Sequence, residues 1–288
     1  MTSHEQPAVT IGALIVPQLG EMSRMREAWM EAEEIGVDRL YTADHFFVPR
    51  PEDYDAQDRH IANDPTAREA PPTPELPADW QEPKNFEATT IQAAMCATTR
   101  KAEVSCLVHC NAFRNPNLLA DMARTMDHIS GGRFVLGIGS GFHRRDFEEY
   151  GYELGTYGSR LRDLDRDLGV IRARWQKLSP PPLRRIPILI AGGGEKLALQ
   201  VVARHADEWH AFGNLATLRQ KSKKLDEWCV QLGRDPREIR RVAALRFLDE
   251  TPLESLVDAG FTQIVSFSMG PDWDLTQVRE LVAWRNAR

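Results

Sequence analysis

Hydrophobic and polar positions follow two periods that take turns along the chain. Short apolar runs of strand length fall at 9–16, 39–43, 104–108, 133–138, 186–190, 208–212, 242–248 and 263–267. The run at 186–190 is apolar without interruption, as in a parallel strand covered on both faces. Between these runs the spacing becomes helical. Met22, Met25, Trp29, Ala32 and Ile35 make one stripe, and Leu118, Leu119, Met122, Met126 and Ile129 a second. Leu218, Leu225, Trp228, Cys229 and Leu232 make a third, and further helices are expected over 86–98, 159–178 and 195–204. Each strand is followed by a helix and no two strands are successive. This predicts a parallel α/β fold, and the count predicts a closed (β/α)8 TIM barrel, with a doubly wound sheet as the alternative.

Local signals punctuate the pattern. Gly36 and Gly131-Gly132 close helices. Asn115 is an N-cap with Pro116 at the first helical position. Thr251-Pro252-Leu253-Glu254 reads as a capping box, and Asp274 with Gln277 frames the last helix. The stretch 47–85 fits neither period and carries Pro49, Pro51, Pro65, Pro71, Pro72, Pro74, Pro77 and Pro83. The strand–helix alternation resumes directly after it, so it reads as an insertion loop within a single barrel domain spanning 1–288. Its length suits a functional lid.

Composition narrows the class of function. The chain is 42% hydrophobic and 27% charged, ordinary for a globular protein. Its 36 basic and 42 acidic side chains give a net charge of −6, which argues against nucleic acid as a partner. No apolar run approaches the roughly 20 residues of a membrane span. Met1-Thr2-Ser3-His4-Glu5-Gln6-Pro7 lacks the basic and apolar regions of a secretory signal. Cys96, Cys106, Cys110 and Cys229 are too scattered for a disulfide framework. A cytoplasmic protein acting on a small molecule is expected.

In a barrel, chemistry gathers where strands run into the following helices. Gly192-Gly193-Gly194-Glu195-Lys196 follows the fifth strand and opens a helix. Three glycines let a backbone approach a ligand, and a helix N-terminus favours an anion, so this junction reads as a phosphate loop. The commonest barrel phosphate site lies later, after strands seven and eight. Gly137-Ile138-Gly139-Ser140-Gly141-Phe142 partly matches a dinucleotide fingerprint, or else is a flexible strand exit. Asp44-His45 leaves the second strand and offers either proton chemistry or a structural pair. Cys106, His109 and Cys110 invite a zinc reading, but no second close pair accompanies them, so no metal is expected.

Taken in order, these blocks resemble the luciferase-like monooxygenase superfamily, in its branch using the deazaflavin coenzyme F420. The resemblance runs from about Val9 to the C-terminus. It is carried by Arg114-Asn115-Pro116, Leu118-Leu119-Ala120 and Asp127-His128-Ile129-Ser130-Gly131-Gly132-Arg133, and then by Gly137-Ile138-Gly139. Tyr150-Gly151, Gly192-Gly193-Gly194-Glu195-Lys196 and Ala206-Asp207-Glu208-Trp209 complete it. It implies a barrel that binds the flat deazaflavin at the strand C-termini, as a homodimer. His45 would be the catalytic proton relay or an electrophile near the substrate, with Asp44 beside it at the ring. Cys106-Leu107 would lie where the third strand bends around the ring, at a non-proline cis peptide. Asn111, Ser140, Gly141 and Phe142 would line the ring and its side chain, and Gly192, Gly193, Gly194 and Glu195 its phosphate. His109 and Cys110 replace the usual small residues, so His109 would add a contact to the ring. The Pro-Lys-Pro excursion that many relatives carry before strand five is missing, and the insertion after His45 would cover the site instead. The implied function is hydride transfer between F420 and a small organic substrate. An FMN-dependent monooxygenase, or a non-catalytic cofactor-binding barrel, would use the same scaffold.

Overall fold

The computed structural model describes residues 9–48, 82–245, 248 and 251–288. Most of the expected insertion loop, 49–81, and Arg246 and Phe247 of the expected seventh strand lie outside the described residues. In chain order the elements are β1 (Thr10–Ile15), α1 (Met22–Ile35), β2 (Arg39–Thr42), α2 (Ala88–Thr98), β3 (Glu103–Cys106), β4 (His109–Cys110) and α3 (Pro116–Ser130). Next come β5 (Leu136–Gly139), α4 (Arg144–Tyr150), α5 (Tyr157–Trp175), β6 (Ile188–Ala191), α6 (Leu197–His205) and β7 (Glu208–His210). Then α7 (Leu215–Gln231), β8 (Arg240–Ala244), α8 (Leu253–Asp258), β9 (Phe261–Ser268) and α9 (Thr276–Asn286) complete the chain.

The strands pair in the order β3-β2-β1-β9-β8-β7-β6-β5-β4, every ladder parallel. β3 and β4 are neighbours in sequence yet stand at opposite ends of this order, so the sheet closes on itself. A parallel bridge between Val104 and Phe134 joins the seam. The nine strands are the eight expected ones with the third cut in two. The cut is a cis peptide between Leu107 and Val108, one bond later than the bend expected at Cys106-Leu107. The first half pairs with β2 and the second with β5.

Alternation along the strands sorts the core into two layers. Leu14, Tyr41, Val135, Leu189, Val242 and Val265 fill the barrel. Ile11, Trp29, Leu40, Leu119, Leu168 and Trp209 pack between barrel and helices. Among the buried charged groups, Arg39 donates to Glu208 and Glu103 and to the Tyr41 hydroxyl, so its charge is paired.

The glycines of β5 have a local cause. A Cβ on Gly137 would lie 1.8 Å from the Cys106 carbonyl oxygen, and one on Gly139 2.9 Å from Val108 Cγ2. Gly141, at φ +75°, would put a Cβ 2.3 Å from Cys110 Sγ. Residues two apart face one side of a strand, so this row of three leaves room for the broken third strand. The partial dinucleotide fingerprint is therefore a packing device.

Two expected caps differ. Thr276, not Gln277, takes the bonds to Asp274 at the start of α9, while Gln277 accepts from Ser266. Pro252 rather than Thr251 caps α8, and Glu254 accepts from the Trp284 indole instead. The short α4 was not foreseen, because seven residues carry too little periodicity to register.

Candidate active site

All the candidate residues leave the C-terminal ends of the strands, but they sort into three separate groups. In the first, the His45 Nδ1 lies 2.9 Å from Asp146 Oδ2, and His143 Nδ1 lies 2.8 Å from the same oxygen. Asp146 Oδ1 accepts from the backbone N–H of Phe46 at 3.0 Å and of Phe47 at 3.1 Å. The first turn of α4 thus pins the exit of β2. Burial alone would raise the Asp146 pKa; hydrogen bonds with His143 and His45 outweigh it and hold the carboxyl below its usual range. Asp146 and His143 are buried, whereas the His45 side chain keeps 22% of its exposure. Phe142 meets the His45 ring edge-on at 5.5 Å. Arg145 stacks over Phe47 at 3.9 Å and pairs with Glu82 at 2.8 Å, holding together the two described ends of the long insertion.

The second group takes Asp44 away from His45. Asp44 accepts from both ends of the Arg114 guanidinium, at 2.7 and 2.9 Å, and from the Cys110 backbone N–H at 3.0 Å. Burial opposes its ionisation, but His109 and Arg114 hold its carboxyl far below the usual range. Arg114 also pairs with Glu87, the N-cap of α2. His109 is fully buried, with Nδ1 3.4 Å from Asp44 Oδ2 and Nε2 2.5 Å from Gln92 Oε1. Desolvation pushes its pKa down, so the ring is neutral and has one N–H for two acceptors. Gln92 Nε2 has no partner among the described residues. Turning that amide over lets Gln92 donate to Nε2 and leaves Nδ1–H for Asp44. His109 is thereby committed to the barrel wall, not to the mouth where the sequence placed it. Cys110 packs with Phe113 and Phe147, and Cys106 is buried, its thiol pushed well up by desolvation. Leu107 packs against the inner barrel layer.

The third group surrounds the glycine loop after β6. Gly192 donates to the His210 carbonyl at 3.0 Å and accepts from the Trp209 indole at 2.8 Å. A Cβ on Gly193 would lie 2.9 Å from Lys221 Nζ, and one on Gly194 2.9 Å from the Tyr157 hydroxyl. No side chain caps α6, which begins directly after this loop. Bare backbone, an ammonium, a phenol and uncapped helix N–H groups converge, a donor set suited to a phosphate. Glu195 is occupied elsewhere, accepting from Gln220 at 2.8 Å. Beside this group, Asn111 and Ser140 line a polar cleft of about 420 Å³ with Arg160 and Asp167. Asn111 donates to Asp167 at 2.8 Å, and Arg160 to the Gly141 carbonyl at 3.0 Å.

The model of the luciferase-like monooxygenase family matches residues 9–252. The chain belongs to this family. The pyrimidine monooxygenase RutA of Variovorax paradoxus (strain S110) is 29% identical over 147 residues, 45% of this chain and 39% of RutA. The chain thus spans about two-fifths of that relative's length. An F420-dependent secondary alcohol dehydrogenase, solved with an F420–acetone adduct, superposes with a TM-score of 0.74 at 15% identity, covering 96% of this chain and 98% of its own. The FMN-bound oxygenating constituent of 3,6-diketocamphane monooxygenase from Pseudomonas putida superposes at 0.63 and 12% identity, covering 96% of each. At such identities the likeness is one of fold. The luciferase-like oxidoreductase fold is therefore shared with proteins of both cofactor types.

Within this luciferase-like barrel, sequence reasoning missed Asp146, His143, Lys221 and Tyr157. The i, i+3 spacing of His143 and Asp146 after the glycine row was the available signal. Lys221 and Tyr157 come from helices outside the β6–α6 unit, and no local pattern ties them to the loop.

Proposed function

We propose that this protein transfers a hydride between coenzyme F420 and a small organic substrate, with His45 exchanging the accompanying proton. The observation that carries this reading is the His45–Asp146 pair. Reducing a carbonyl or imine carbon by hydride leaves a proton to be placed on the neighbouring heteroatom. A partly exposed imidazole held at 2.9 Å by a buried carboxylate is built for that transfer. Asp146 orients the ring. Asp44 acts one step removed, fixing the Cys110 backbone N–H directly while paired with Arg114. The deazaflavin would supply the hydride itself, which no ordinary side chain carries. Gly192, Gly193, Gly194, Lys221 and Tyr157 would hold its phosphate, and Ser140, Gly141, Phe142, Leu107 and Asn111 would line its approach. The likeness to an F420-dependent dehydrogenase supports the same reading.

The second reading, an FMN-dependent monooxygenase consuming dioxygen, is favoured by the RutA match and the FMN-bound neighbour. Titrating the purified protein with oxidised F420 and with FMN in parallel separates them. Binding of F420 alone is expected, and binding of FMN alone or of neither overturns the proposal. His45→Ala is expected to slow turnover by about 10²- to 10⁴-fold with cofactor affinity nearly unchanged, the range of a lost acid–base group.

A further inference from the structure

We propose that His45, His143 and Asp146 bind one divalent transition-metal ion at the mouth of the barrel. One ligand atom from each of the three lies within 4.8 Å of the others. Two imidazoles and one carboxylate are the donor set of zinc, cobalt or nickel rather than of magnesium or calcium. His143 and His45 both present Nδ1 to Asp146 Oδ2. On an ion with bonds near 2.05 Å, tetrahedral neighbours sit roughly 3.3 Å apart. The spacings of 2.9 and 2.8 Å therefore need to open by only about half an ångström as the shared protons leave.

The surroundings are those of a prepared site. Asp146 Oδ1 is held by two backbone N–H groups, an outer shell that fixes the carboxylate and leaves Oδ2 for an ion. Two ligands sit at the start of one helix with i, i+3 spacing, and the third comes from the exit of β2. His143 and Asp146 are buried, so the ion would be approached from the side of the partly exposed His45. Three protein ligands leave at least one coordination position open there. The buried thiols of Cys106 and Cys110 are poor rivals, since their pKa values are pushed well up by desolvation.

Occupancy would take His45 out of proton exchange, so the ion would act as an inhibitor. That consequence rests on the hydride-transfer reading, whereas the binding does not. The test is titration of chelator-treated full-length protein with cobalt(II) chloride, followed by its visible absorption and by dialysis stoichiometry. One cobalt per chain with a low-symmetry visible band is expected. His143→Ala and His45→Ala should each abolish the band and weaken binding at least tenfold, while His128→Ala on the exposed face of α3 leaves it intact. Absence of stoichiometric binding, or a band unchanged in either ligand variant, overturns the proposal. His45 is less buried than His143, so its variant keeps the test decisive if His143→Ala fails to fold. The cobalt band needs no coenzyme, so failure of F420 binding would sink the functional reading and leave this one standing.

Discussion

Two strand exits in this barrel are rich in glycine and use it for opposite ends. After β5, the row Gly137, Gly139 and Gly141 lies against the backbone and side chains of the broken third strand. After β6, Gly193 and Gly194 lie against the movable tips of Lys221 and Tyr157. Similar composition thus meets fixed chain in one place and, in the other, the groups we propose as an anion cradle. What separates them is the neighbour an added Cβ would meet. A backbone carbonyl cannot retreat, but a lysine tip can.

The sharpest test of the packing row is Gly137→Ala. Its new methyl would sit 1.8 Å from the Cys106 oxygen, at the seam where the barrel closes. A cost of roughly 3 kcal/mol or more is expected, at the top of the overpacking range, and calorimetry or the soluble yield should show it. An unchanged melting temperature would mean that the seam is not fixed as described.

Next in size is Asp44→Asn, on the far side of the same broken strand. It leaves the Arg114 guanidinium with Glu87 alone, and breaking a buried pair of this kind costs about 3 kcal/mol. Acid should narrow the gap. The Asp44 pKa is depressed in the folded protein, so its stabilisation is present above the ordinary carboxylate range and fades as pH falls below about 4. Wild type should lose more stability than the variant on that descent, as urea titrations at several pH values would record. Parallel slopes would mean that the carboxylate is not ionised against Arg114.

These two glycine regions also show how far the sequence could be read. The eightfold alternation and the Asn115 cap are local, each signalled within a few residues, as is the glycine run at 192–194 that we propose as a phosphate loop. The roles of Asp44 and His45 were not local. Adjacent in sequence, they were read as partners, but strand geometry sends them apart, Asp44 to Arg114 seventy positions on and His45 to Asp146 a hundred and one positions on. The packing role of the glycine row was hidden for the same reason: what it accommodates is β3 and β4, and only closure of the sheet brings them together. His109 shows a different limit. A histidine at a strand end looks the same from sequence whether it faces a ligand or a buried glutamine.

On the cradle side, Lys221→Met should leave folding almost untouched, because the ammonium reaches over the loop from the rim of α7. Its side chain donates to the Phe212 carbonyl at 3.2 Å. Cofactor affinity should fall about tenfold, the loss of one charge-assisted hydrogen bond, and the salt dependence of binding should flatten with it. Unchanged affinity would place the phosphate elsewhere on the barrel mouth.

The smallest expected effect is also the most direct counterpart of Gly137→Ala. In Gly193→Ala the added methyl meets Lys221 Nζ at 2.9 Å, the far end of a flexible chain that can swing aside. Stability should therefore stay within about 0.5 kcal/mol of wild type, as for substitutions that touch no fixed group. Affinity for the phosphate-bearing cofactor should nevertheless weaken several-fold, since the methyl takes the place that backbone and ammonium share. Thermal melts and cofactor titrations on the same preparation would read both quantities. A large drop in melting temperature would show that this loop, like the row after β5, is glycine-rich for packing. The distinction between the two exits would then fall, and with it the reason for placing the phosphate there.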